Sequence, residues 1–208
     1  MSTRQLAVVS AGLVTSVGLN TATTCAALRC RVNNFVETGF TDSEDEAVIG
    51  APVPWPDGGI RLEKLIEMAA SAIRQALSGA GIALHQLPQI PLMLCIAETE
   101  RAGRMQDLDT ALFDGLAQQF GHAFHPNSGV LASGQVSVAF AMNHARHLLY
   151  DQHHATVLVV AADSLLNRAS VVAHLERERL LATDIRAGFI PGEAAGALVV
   201  PRPDPQVD

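Results

Sequence analysis

Residues 129–149 read GVLASGQVSVAFAMNHARHLL. A glycine-bounded turn feeds a segment in which Val136, Val138, Ala139, Phe140, Ala141, Met142, Ala145, Leu148 and Leu149 leave almost no polar face until Asn143, His144, Arg146 and His147. A helix lying on a protein surface carries one apolar stripe, whereas a helix that is apolar nearly all round sits inside. Residues 136–149 are therefore predicted as an inner helix, and the rest of the chain must supply the layers around it.

Those layers are legible on both sides of the segment. IPLMLCIAE (90–98), HATVLVVAADS (154–164) and AAGALVVPR (194–202) are continuous apolar runs, the pattern of strands buried on both faces. LAVVSAGLV (6–14) is a further β-rich run, ending in the turn sequence TSVGLN. Between them lie helical patterns. Leu62, Leu65, Ile66, Ala69, Ala70, Ile73 and Leu77 recur at helical spacing within 60–82, and the Gly79–Gly81 pair stops that helix. Residues 105–121 form a second amphipathic pattern, and TATTCAALRCRV (21–32) carries helix formers after a threonine cap candidate. Residues 37–59 hold acids, prolines and glycines without a period and read as a long surface loop with at most a short strand. Doubly buried strands alternating with helices give the fold class α/β: a mixed, mostly parallel sheet with helices on both faces. Residues 1–208 are expected to form a single domain.

Composition narrows the function classes. The chain has 208 residues, 49% of them apolar, and a net charge of -7. An excess of acids argues against nucleic acid as a partner, because phosphate binding needs clustered cations. No stretch is apolar and long enough for a membrane span, and the opening run, broken by glycines and polar residues, reads as strand and turn rather than a leader. Cys25, Cys30 and Cys95 are odd in number and unevenly spaced, which suits reduced thiols in the cytoplasm. His122/His125 and His144/His147 each sit three apart, but neither pair has a third ligand at a telling spacing, so no metal and no cofactor are expected. RLEKLIE (61–67) and LERERL (175–180) read as solvated, charge-patterned helix surfaces.

Several segments together resemble the N-terminal half of the β-ketoacyl synthases, within the thiolase fold. VVSAGLVTSVGLNT is similar to that family's first strand and turn, with Thr15 and Gly18 matching and Ser16 where proline is usual. CAALRCRVNNF, LIEMAASAIRQALSGAGI and ATVLVVAADSL follow in the family's order. RAGFIPGEAAGALVV resembles its glycine-rich signature, in which Gly188, Phe189, Gly192, Glu193, Ala195 and Gly196 fall in place. The resemblance implies a thiolase-like half domain, in which that signature is largely architectural.

Two departures bear on function. The family's nucleophile is a cysteine opening the buried helix, where the helix N-terminus lowers a thiol pKa. Here the matching position is Ser133, Gly134 or Gln135, depending on one residue of alignment slack. Glutamine resembles the chain-length-factor subunits and cannot attack a thioester. Ser133 is a weak candidate nucleophile, since a serine needs a positioned base and an oxyanion hole, and GVLAS does not fit the nucleophile-elbow pattern. The family's two catalytic histidines belong to its second half, which this sequence does not show. The expectation is a non-catalytic, pseudo-thiolase subunit with no catalytic residue of its own. It would act as a chain-length-factor-like scaffold in fatty acid or polyketide biosynthesis, or as an adaptor or chaperone for a partner such as a secreted effector. The alternative is a 3-oxoacyl-ACP synthase-type acyltransferase, completed by a partner chain or using a serine. Either way a protein partner should cover helix 136–149, as a homodimer or a heteromer, with an acyl carrier protein as a further candidate.

Overall fold

In the computed structural model, which describes residues 4–55 and 61–203, the strands are β1 (Ser10–Val14), β2 (Val36–Thr41), β3 (Ala47–Gly50), β4 (Leu92–Cys95), β5 (Gly129–Leu131), β6 (Thr156–Ser164) and β7 (Glu193–Pro201). The helices are α1 (Thr21–Arg29), α2 (Arg61–Gly79), α3 (Leu108–Phe120), α4 (Ser137–Tyr150) and α5 (Arg168–Leu175). Five strands build the main sheet in the order β1-β7-β6-β4-β5. β4 pairs in parallel with both β5 and β6, while β7 lies antiparallel between β1 and β6. Four of the five strands thus run one way and β7 alone runs against them.

The pleat sorts each strand's side chains into two cores. Leu92, Leu94 and Ile96 join Leu158, Val160 and Ala162 and Ala195, Ala197 and Val199 on the side covered by α2 and α3. Met93 and Cys95 join Val157, Val159 and Val200 on the side covered by α4. This is why the strand sequences show no polar alternation: both faces are dry. Each leucine buried completely in these layers, such as Leu112 or Leu149, contributes about 2 kcal/mol of transfer free energy.

α2 lies close to the sheet because its inner row is largely alanine; Ala69, Ala72 and Ala76 are fully buried. At the closest approach, a Cβ on Gly12 would overlap the carbonyl of Ala72, so β1 needs a glycine there. The helix ends in a double turn: Ile82 donates its N–H to Leu77 O at 2.9 Å, Gly81 donates to Ser78 O at 3.0 Å, and Gly81 takes the left-handed φ of 69°. The expected stop is therefore Gly81 rather than the pair as such. The cap of α1 differs from expectation. Asn20, not a threonine, accepts the Thr23 N–H at 2.9 Å.

The expected loop over 37–59 is largely a hairpin, with the last of those residues, 56–59, outside the described ones. β2 and β3 pair antiparallel with a register shift between Glu37 and Thr41. The acids occupy the turn, where Asp42 Oδ1 accepts the Glu44 and Glu46 N–H groups. A strand whose exposed residues are Val36, Glu37, Gly39 and Thr41 and whose register slips carries no clean period-two signal.

Candidate functional site

The parallel strands β4, β5 and β6 all end on one edge of the sheet, and open α/β sheets place their clefts beyond such ends. Here a cleft of about 690 Å³ is lined by Glu98 and Arg101 after β4, Ser133, Gly134, Gln135 and Val136 after β5, Asp163 and Leu165 at the end of β6, and His174, Arg179 and Phe189 from α5 and the segment after it. All three residues matched to the family nucleophile therefore converge on one cleft.

The backbone there is closely tied. Ile96 N donates to Leu131 O at 3.0 Å and Gly134 N donates to Ile96 O at 3.1 Å, which extends the parallel ladder into the turn. The buried Ser137 hydroxyl accepts the Ser133 N–H at 2.8 Å and donates to Leu131 O at 2.9 Å. Ser137 thus staples the start of α4 and has no proton left to give a base. Gly134 has φ 56°, and a Cβ there would overlap the Glu98 carboxylate. A cysteine at 134 would be strained by that left-handed backbone, and the exposed Glu98 side chain would have to swing aside. Gln135 is exposed, and Ser133 makes no side-chain hydrogen bond at its helix end.

Two of the charged groups in the cleft are committed to each other. Arg101, whose side chain is 9% exposed, forms a two-pronged pair with Asp163. His174 lies edge-on to Phe189 with ring centroids 5.2 Å apart. Partial burial, followed by the nearby Arg179, Arg177 and Arg101, holds its pKa below the usual histidine value, so it is neutral at pH 7. Cys95 is the thiol nearest the turn, in an apolar trough that also touches Gly134 and Gln135. Burial pushes it up to about 11, which leaves essentially no thiolate near neutrality.

The signature residues sit just behind. Glu193 accepts from Val53 N–H at 2.9 Å and from the Ser164 hydroxyl at 3.0 Å, and pairs with Lys64, the chain's single lysine. Lys64 also donates to Val53 O at 3.0 Å. This cluster joins α2, the segment after β3, the end of β6 and the start of β7. The reading of RLEKLIE as a wholly solvated face is corrected at Lys64, which turns inward to this carboxylate. LERERL is not a helix surface either. α5 stops at Leu175, residues 176–179 are exposed outside it, and Leu180 is fully buried. Gly188 abuts the Leu180 backbone, where a Cβ would collide, and Gly192 O accepts the Leu165 N–H at 3.0 Å. Phe189 borders the cleft and Gly196 the trough.

The histidine pairs separate. His125 meets His154 edge-on at 4.9 Å, His122 lies among Phe120 and Phe124, and His144 and His147 are 6.2 Å apart, with His147 on Asp151. Among the described residues no group of three His, Cys, Asp or Glu side chains is placed to hold a metal, and no helix is long and apolar enough to cross a membrane.

Sheet order, inner helix and cleft can now be set beside known structures. A β-ketoacyl synthase from Burkholderia phymatum STM815 superposes with a TM-score of 0.67 at 15% identity, over 97% of this chain and 60% of that one. The fold is half of a ketosynthase. A type II polyketide ketosynthase, in complex with its acyl carrier protein and bound to a hexaketide, gives a TM-score of 0.71 at 13% identity, over 96% of this chain and 58% of that one. The ishigamide ketosynthase/chain length factor gives 0.66 at 19% identity, over 98% and 63%. The chain spans about three fifths of these ketosynthase structures. No protein-family model and no curated protein matches the sequence.

The cleft holds five groups that the sequence reading did not single out: Glu98, Arg101, Asp163, His174 and Arg179. A signal existed for two of them. Glu98 and Asp163 are the first acids after long apolar strand runs, the place where parallel strands deliver side chains to a shared edge.

Proposed function

We propose that this protein is a non-catalytic, ketosynthase-like subunit that works by binding another protein chain across α4. The observation that carries the reading is the turn at 133–135. The fold delivers it to the cleft, yet Gly134 has no side chain and a left-handed φ of 56° that favours glycine, Gln135 has no nucleophilic atom, and the nearby Cys95 thiol stays protonated. Ser133 lines the cleft, and among the described residues its hydroxyl has no hydrogen bond to His174 or another base; a serine without a base is a weak nucleophile.

The role we favour is chain-length-factor-like, in fatty acid or polyketide biosynthesis, with an acyl carrier protein as a client. Similarity of fold to a ketosynthase/chain length factor and to a ketosynthase held with its acyl carrier protein supports it. An adaptor or chaperone for a secreted effector would use the same bare helix. Three cysteines outside any disulfide support a cytoplasmic setting.

One observation favours a second reading, an acyltransferase completed by a partner chain: Ser133 and the neutral His174 share one cleft. The deciding test is incubation of the pure chain with acyl thioesters of N-acetylcysteamine, followed by intact-mass spectrometry. The expected outcome is no adduct. An acyl adduct abolished by Ser133→Ala would overturn the non-catalytic reading.

A further inference from the structure

Three residues of the cleft are tied together by their backbones. Arg179 N–H donates to His174 O at 2.9 Å, and Phe189 N–H donates to Arg179 O at 2.8 Å. The turn that returns Arg179 to the end of α5 passes through Glu178, whose φ of 53° is left-handed. At the other end of α5 the Ser170 hydroxyl donates to Ala102 O at 2.7 Å, which fixes the helix against the segment that carries Arg101. One side of the cleft is therefore pre-formed. It presents Arg101, His174 and Arg179, with Phe189 and Leu165 as apolar surface.

Two polar atoms on that side have no partner. Arg101 Nε and His174 Nδ1 are shielded from solvent and make no hydrogen bond among the described residues. Arg101 gives its two terminal nitrogens to Asp163, and its side chain is only 9% exposed. A buried polar atom left unpaired costs free energy unless something that binds there takes it. Arg179 is exposed and forms no ion pair among the described residues.

The surrounding field favours an anion. Of the charged groups that line the cleft, Arg101 and Asp163 neutralise each other, and Glu98 stands beside Gly134, at the turn. Two further charges act on Arg101 and His174: Arg61, at the start of α2, and Arg177. Both are cations. Glu100, Glu176 and Glu178, the acids that adjoin these arginines in sequence, do not line the cleft, and Glu176 turns to a separate cavity with Asp42 and Asp184. The Lys64–Glu193 pair behind is neutral as a unit.

We propose that the α5 side of the cleft binds a small phosphomonoester, its phosphoryl oxygens held by Arg179, Arg101 Nε and the Nδ1–H of His174, and its apolar body by Phe189 and Leu165. Three separate donors match the three terminal oxygens of a phosphomonoester, whereas a carboxylate offers two. A cleft of about 690 Å³ has room for the body as well as the anion. Phe189, 36% exposed and edge-on to His174, is the side chain that turns aside to admit the ligand. The site is separate from the partner across α4. Its test reads neither that partner nor acyl transfer, so either proposal can fail while the other stands.

The test is isothermal titration calorimetry of the full chain with phenyl phosphate, at about pH 7.5 where the probe is a dianion, with ionic strength matched by potassium chloride. One saturable site per chain is expected, with inorganic phosphate and benzoate each about tenfold weaker. Arg179→Gln should weaken binding about tenfold with an unchanged circular dichroism spectrum, because the side chain is exposed. Glu98→Gln should tighten it about threefold by removing the carboxylate that repels the anion, a gain that a damaged fold cannot imitate. Arg202→Gln, an exposed site just before the opposite end of β6, where Arg202 N–H meets Ala155 O, should change nothing. No saturable binding, equal affinity for phenyl phosphate and either comparison ligand, or indifference to Arg179→Gln or to Glu98→Gln would overturn the proposal. So would equal weakening by Arg202→Gln, the mark of an adventitious ion only.

Discussion

Removing the Glu193 carboxylate should unlock the joint that ties α2 and the segment after β3 to the end of the sheet where β6 stops and β7 starts. Its side chain is 7% exposed, and that of Lys64 is 17% exposed. Glu193→Ala strands the lysine cation in a site that is mostly dry and frees two donors, Val53 N–H and the Ser164 hydroxyl. Breaking a buried pair from one side costs about 3–5 kcal/mol, and for a domain of this length each kcal/mol lowers the melting temperature by about 2–4 °C. The expected loss is therefore roughly 6–20 °C. Glu193→Gln keeps the shape and one accepting oxygen but not the charge, so it should fall between the parent and Glu193→Ala. Lys64→Met added to Glu193→Gln should recover part of the loss, with a coupling of about 1–3 kcal/mol. Urea denaturation followed by circular dichroism, at one fixed protein concentration, reads the parent, these three variants and Lys64→Met alone. An alanine variant within about 0.5 kcal/mol of the parent would refute the assignment of this carboxylate as the joint.

Gly12→Ala should push β1 off α2, since the new methyl meets backbone that cannot rotate away; about 1–3 kcal/mol of overpacking is expected, measured as a lower urea midpoint. Iodoacetamide near pH 8, followed by peptide mass spectrometry, should modify the exposed Cys30 first and Cys95 last, because Cys95 is buried and its thiol is pushed up to about 11. His154 is held below 6.5 by partial burial and then by His125, so the unfolded chain takes up its proton first as pH falls. Its contribution to stability is complete above 6.5 and declines as the pH drops from there toward the folded-state value. Urea midpoints taken above and below that window should differ less in His154→Gln than in the parent.

Most of the architecture could be read from the chain because dry strands and one-sided helices write their burial into composition. Leu158, Val159 and Val160 alternate between two cores, and both are apolar, so a run without alternation meant a strand covered on both faces. The β2–β3 hairpin escaped because its turn is a run of acids, its exposed strand residues are as mixed as Val36, Glu37, Gly39 and Thr41, and its register slips. Lys64 was misplaced for a different reason. Its partner Glu193 is far away in sequence, and a lone lysine in a charge-patterned helix has no local mark of a distant carboxylate. The inner helix was legible as a composition, but its bare N-terminal stripe was not, since exposure depends on which strands lie beneath it. At the cleft, turn 133–135 could be located from the sequence, while Arg101, His174 and Arg179 arrive from loops whose paths no period records.

The antiparallel strand β7 carries a kinetic consequence. Its residues are made after every other strand described here, yet it is inserted between β1 and β6, with Val199 partnering both Ser10 and Leu158. Until β7 is available, β1 has no neighbour in the sheet and β6 exposes an unsatisfied edge. Closure must therefore wait for a contact of very long sequence separation, the kind that slows folding, and during synthesis the emerging chain passes through a stage with an apolar edge open to aggregation. A cell making this protein would have reason to keep a holding chaperone near the ribosome until that strand emerges.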